Sequence, residues 1–122
     1  MNKQLLEEIK TAYKVHHLRP VRRCFFIHCK RYDSACPLLA LAIHRGAVDR
    51  ADPSIAWEGA DNPAFKWATR AFGKEWAWGF IDGFDWITKK TRDPEYQKGH
   101  RFGVLLAVGI LPPPSYQGSQ EG

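Results

Sequence analysis

Two pairs of glycines constrain this chain more than any other feature. Gly79 and Gly83 interrupt the aromatic stretch "WAWGFIDGFDW" (residues 76–86), and Gly99 and Gly103 repeat the same Gly-x-x-x-Gly spacing. Both regions otherwise read as helices, where each glycine costs about 1 kcal/mol relative to alanine. Four such costs at helical spacing require a compensating gain. With about 100° of rotation per residue, Trp76, Ala77, Phe80, Phe84 and Ile87 share one broad face, and Gly79 and Gly83 form a notch along its edge. Gly99 and Gly103 fall among Tyr96, Leu106, Ala107 and Ile110 on a second apolar face. The spacing predicts that the two helices cross closely, notch to notch or notch to aromatic ring, with backbone contact offsetting the lost propensity. A ligand approaching the helix backbone is the alternative.

Punctuation along the chain sets the remaining elements. A first helix is expected from about Lys3 to His17, with Leu5, Ile9, Ala12 and His16 on one face and Pro20 ending it. Val21 to Cys29, "VRRCFFIHC", mixes β-branched and aromatic residues and reads as a strand, with a loop or short helix as alternatives. Ser34 is expected to cap a second helix that stops at Gly46. Residues 49–62 read as a loop with one helical turn near Ser54–Trp57, and Asn62-Pro63 opens a third helix that Gly73 closes. The fourth helix covers roughly Glu75–Ile87, and Asp93-Pro94 opens a fifth that runs to Leu111 before Pro112.

The expected fold is therefore mainly α: a compact single domain of four to five helices over residues 1–111, with room for one short β-strand pair near residues 21–29. A Pro-rich tail, residues 112–122, is expected to be disordered. The 122 residues suit one ordinary core. The longest apolar run, Gly103–Leu111, is about half of what a bilayer crossing needs, so no membrane association is expected. The acid-containing amphipathic N-terminus resembles neither an export signal nor a transit peptide, and three cysteines do not make a disulfide framework. A cytoplasmic protein is the simplest expectation.

Charge is distributed unevenly. Residues 1–50 carry a net +6 and residues 51–122 a net −1, out of +5 for the whole chain. From Ile9 to Tyr32 there is no acid, but Lys10, Lys14, Arg19, Arg22, Arg23, Lys30 and Arg31 are all present. Tyr13, Phe25, Phe26 and Tyr32 are interleaved with them, so phosphate attraction and base stacking could coexist. The leading functional expectation is a small basic, non-enzymatic module that contacts nucleic acid or another polyanion through residues 9–32. Its simpler counterpart is a solvated positive face, with the phenylalanines in the core. An acidic protein surface is the next partner considered.

A second candidate surface comes from the fourth helix, where Trp78, Asp82 and Asp85 fall together opposite the core face. A tryptophan between carboxylates on a polar strip would suit a protein-binding adaptor or inhibitor; a solvated face is the alternative. Asp82 and Asp85 could also bind a cation or divide acid and base roles, though no other oxygen ligand lies near in sequence.

Cys24, Cys29, Cys36 and His28 supply zinc-ligand types, but at spacings unlike a Cys-x2-Cys knuckle. Buried, inert thiols are favoured over a metal site. Cys36, in the expected first turn of the second helix, could be activated as a thiolate there. No phosphate-cradling loop, serine elbow or dinucleotide fingerprint accompanies it, and no cofactor is expected.

Overall fold

The computed structural model of the chain describes residues 2–111. The expected disorder of the tail at 112–122 lies outside the described residues. The described residues form five α-helices and a three-stranded sheet of very short strands, in one mainly α domain.

The first helix, α1 (Asn2–Val15), buries Ile9, Ala12 and Tyr13. It ends two residues earlier than expected, because His17 takes a left-handed φ of 53° and turns the chain into β1 (Leu18–Pro20). Pro20 thus sits in a strand, the extended conformation that its fixed φ tolerates at a sheet edge.

The short β structure expected near residues 21–29 is present and extends beyond that range. β2 covers Phe26–His28, β3 covers Asp33–Ala35, and the sheet order is β1-β3-β2, with β3 parallel to β1 and antiparallel to β2. Only the end of the expected 21–29 strand is in the sheet; residues 22–25 form bends between β1 and β2. Ser34 therefore pairs with Arg19 and Ile27 in the sheet and does not cap a helix. Cys36 takes the cap position instead, Pro37 occupies the first helical position, and α2 runs from Pro37 to His44. Every residue from Pro37 to Ile43 is buried, which makes α2 the central element. Its exit is closed by Gly46 at φ 74°, with Gly46 N–H on Ile43 O and Ala47 N–H on Ala42 O, the paired bonds of a left-handed helix terminator.

Two 3-10 turns, Pro53–Ala56 and Gly59–Asp61, lead to α3 (Pro63–Phe72). Asn62 caps α3 as expected and is fully buried. Its side-chain oxygen accepts from Ala64 N–H at 2.8 Å, and its amide donates to Ile55 O and Trp57 O at 2.9 and 2.8 Å. α4 (Lys74–Phe84) and α5 (Pro94–Ile110) follow, with Asp93 capping α5 by accepting from Glu95 and Tyr96 N–H.

The expected glycine crossing is present, and it is reciprocal. A Cβ on Gly79 or Gly83 would collide with the carbonyls of Tyr96 or His100, and one on Gly99 or Gly103 with the carbonyls of Trp76 or Phe80. Each helix presses its backbone into the other's notch, close enough for Cα–H···O contacts. Trp76, Phe80, Phe84 and Phe102 close over the crossing, with Trp76 stacked on Phe80 at 5.3 Å between ring centroids.

Candidate functional site

The acid-free segment divides into a docked part and a free part. Arg22 and Arg23 belong to the docked part. α4 ends with Trp86 in the left-handed region (φ 60°), where Trp86 N–H meets Gly83 O and Ile87 N–H meets Asp82 O. The carbonyls exposed at this helix end are taken up by cations, as the helix dipole favours. Arg22 Nε donates to Phe84 O at 2.9 Å, and Arg23 Nη2 donates to Asp85 O at 3.2 Å. Arg23 N–H also donates to the Asp85 carboxylate at 3.0 Å. Arg22 lies over the Trp86 ring at 4.4 Å, and its buried Nη2 has no hydrogen-bond partner. Burial lowers the Arg22 pKa from its ordinary value, with Asp85 opposing the shift. These two arginines tie the β1–β2 connection to the end of α4. Lys10 is likewise engaged, 3.6 Å from Glu7 on its own helix.

The free part is the hairpin tip between β2 and β3, together with Arg19 on β1. The Arg19 guanidinium lies over the Tyr32 ring at 3.9 Å. Lys30 and Arg31 are exposed beside Tyr32, and Lys14 is exposed near the end of α1. None of these four cations forms an ion pair with a described carboxylate. The nearest acid in sequence, Asp33, is already matched: Arg50 donates to it at 2.9 Å and His28 Nδ1 at 2.7 Å. The Arg50 hydrogen bond is the main reason its carboxyl titrates below the usual range.

The strip of Trp78, Asp82 and Asp85 is corrected by the structure. Asp82 is 3% exposed and Asp85 8%, so neither is a solvated carboxylate. Tyr96 Oη donates to Asp82 at 2.6 Å, Lys90 Nζ stands 3.8 Å from it, and Lys90 N–H donates to Tyr96 Oη. Burial, and after it the bond to Asp82, pushes the Tyr96 phenol up to about 12. His100 Nε2–H donates to Ile87 O at 2.7 Å. The segment between α4 and α5 therefore folds back over the helix face that periodicity alone assigns to solvent. Trp78 is half-buried, its ring 4.5 Å from that of Phe65. Burial raises the Asp85 pKa, partly offset by the Arg23 N–H.

The cysteines do not converge. Cys29 is exposed, Cys24 half-buried and Cys36 buried. Among the described residues no group of three or more His, Cys, Asp or Glu side chains is placed to hold a metal ion, and His28 is occupied by Asp33. Cys36 does sit at a helix start, and the Leu38 and Leu39 amides pull its pKa down. Burial outweighs them and pushes the thiol up to about 12, the opposite of an activated nucleophile.

One feature escaped sequence reasoning altogether. A cavity of about 150 Å³ opens where the end of α4 meets the start of α2 and the 3-10 turn at Gly59, walled by Leu38, Phe65, Trp78 and Phe84. Its lining comes from five separate parts of the chain, so no local pattern announces it. No protein-family model, curated protein or solved structure matches the chain. No helix among the described residues is long and apolar enough to cross a membrane.

Proposed function

We propose that the chain is a small binding module that holds nucleic acid, as a polyanion, on the hairpin tip formed by Arg19, Lys30, Arg31 and Tyr32. The observation that carries this reading is the stacking of Arg19 on Tyr32 beside two exposed cations that have no described acidic partner. Stacking fixes the guanidinium plane and leaves its N–H groups available for phosphate oxygens. Tyr32, 36% exposed, adds an aromatic ring of the kind on which unstacked bases stack. Lys14, exposed near the end of α1, adds to the positive charge of the same sequence segment. Arg22 and Arg23, part of the same basic segment in sequence, contribute indirectly by tying the β1–β2 connection to the end of α4.

The test is a fluorescence-anisotropy titration of labelled single-stranded and duplex oligonucleotides against wild type and the Lys30→Glu/Arg31→Glu double variant. Binding at low salt that the double variant loses, with its melting temperature unchanged, supports the reading. Equal binding by both proteins, or none by wild type, rejects it.

A further inference from the structure

We infer that the cavity beside the end of α4 is a binding site for a small aromatic amine: a single ring seated among Leu38, Phe65, Trp78 and Phe84, with its ammonium group at Asp85 and Glu58. This is independent of the polyanion surface. Size sets the first limit. At about 150 Å³ the chamber has the volume that, in an engineered apolar cavity, admits benzene, and it is too small for a nucleotide. Its wall chemistry sets the second, since aromatic faces on several sides favour a flat apolar ring.

The rim decides the head group. Asp85 lines the cavity and is more than nine-tenths buried. One of its oxygens accepts from Arg23 N–H, and the other takes no hydrogen bond from the described residues. That second oxygen is not sealed from solvent, so it is open to a donor brought by a ligand in the cavity. Glu58, exposed at the same rim, has no described cationic partner. The one rim cation, Arg23, already donates its guanidinium to Asp85 O. Cys24, on the same rim, reports the local field: after burial, the influences raising its thiol pKa are Glu58 and Asp85, with no cation opposing them. Beside Cys24 a ligand group meets the carboxylates of Glu58 and Asp85, which favours an ammonium over a carboxylate, with Arg22 and Arg23 partly balancing Asp85. On the rim, Arg23 is a non-glycine residue held in the left-handed region (φ 68°), a strain that accumulates at ligand sites more than elsewhere.

The experiment uses the full chain and three probes of one ring each: benzylamine, toluene and benzoate. Two-dimensional NMR follows the Trp78 indole N–H and the Gly59 amide. The expected result is saturable shifts at both with benzylamine, at a submillimolar Kd, with toluene several-fold weaker and benzoate weakest. Glu58→Gln, at an exposed position that leaves folding intact, should weaken benzylamine several-fold and leave toluene unchanged. Cys24→Phe, which places a ring in the mouth, should abolish both. Absence of shifts at Trp78 and Gly59 with benzylamine, benzoate binding as tightly as benzylamine, or indifference to Glu58→Gln would each overturn the inference. The Glu58 and benzoate comparisons decide the matter even if Cys24→Phe does not fold.

Discussion

Asp82 shows what a single buried carboxylate demands of its neighbours. Its charge is held by the Tyr96 hydroxyl at 2.6 Å and by Lys90 at 3.8 Å, so removing the hydroxyl leaves a buried acceptor short of its best donor. Tyr96→Phe should therefore destabilise the fold by about 2 kcal/mol, read as a shifted urea midpoint at constant slope. The sequence could not show this pair. Tyr96 lies 14 residues from Asp82, and its ring belongs to the apolar face of α5, so nothing in the local pattern marks its hydroxyl as a partner. At the other end of the molecule, His16 Nε2 and His44 Nδ1 stand 3.2 Å apart, with Arg50 on the His16 carbonyl. Burial first, then His44 and Arg50, lowers the His16 pKa below its ordinary 6.5. A depressed pKa means the folded state resists a proton that the unfolded chain accepts, so this contribution is present above about pH 6.5 and lost as pH falls through the folded value. Wild type should lose more stability between pH 7.5 and pH 5.5 than His16→Gln does, in paired denaturant titrations.

At the scale of elements, the glycine crossing was legible because its signal is repeated: the same spacing occurs twice, at a cost no isolated helix would carry. Gly83→Ala and Gly103→Ala each drive a methyl group into backbone that cannot move aside, and each should cost about 3 kcal/mol or more. Gly109, also in α5, meets nothing nearer than the end of the Lys10 side chain. Gly109→Ala should instead stabilise by about 0.5–1 kcal/mol through helix propensity, which separates the crossing from a general effect of glycine in helices. Thermal or urea melts of the three variants make the comparison. The cap signals at Asn62 and Asp93 were legible for a different reason: each is complete within a few residues. Ser34 was misread because its role depends on β1 and β2 meeting on either side of β3. Strands of three residues carry too little pattern to compete with a strong cap-like residue.

Across the whole molecule, the sequence showed where positive charge is concentrated but not which charges are free. Arg22 and Arg23 look equivalent to Lys30 and Arg31 along the chain, yet the first two close the end of α4 and the second two stand at a hairpin tip. The difference arises from a contact spanning 62 residues, beyond any local reading. The aromatic cavity was hidden for the same reason, since its walls meet only in the folded state. Free cations displace condensed counterions when they meet phosphate, so their number can be counted from salt dependence. With Arg19, Lys30 and Arg31 engaged on a single strand, log K against log salt should have a slope of about −2. Anisotropy titrations of one labelled single-stranded oligonucleotide across a salt series, with wild type and Lys30→Glu/Arg31→Glu in parallel, test the central claim most directly. The account predicts a slope of about −2 for wild type and binding too weak to measure for the double variant; the same slope and affinity for both proteins would contradict it.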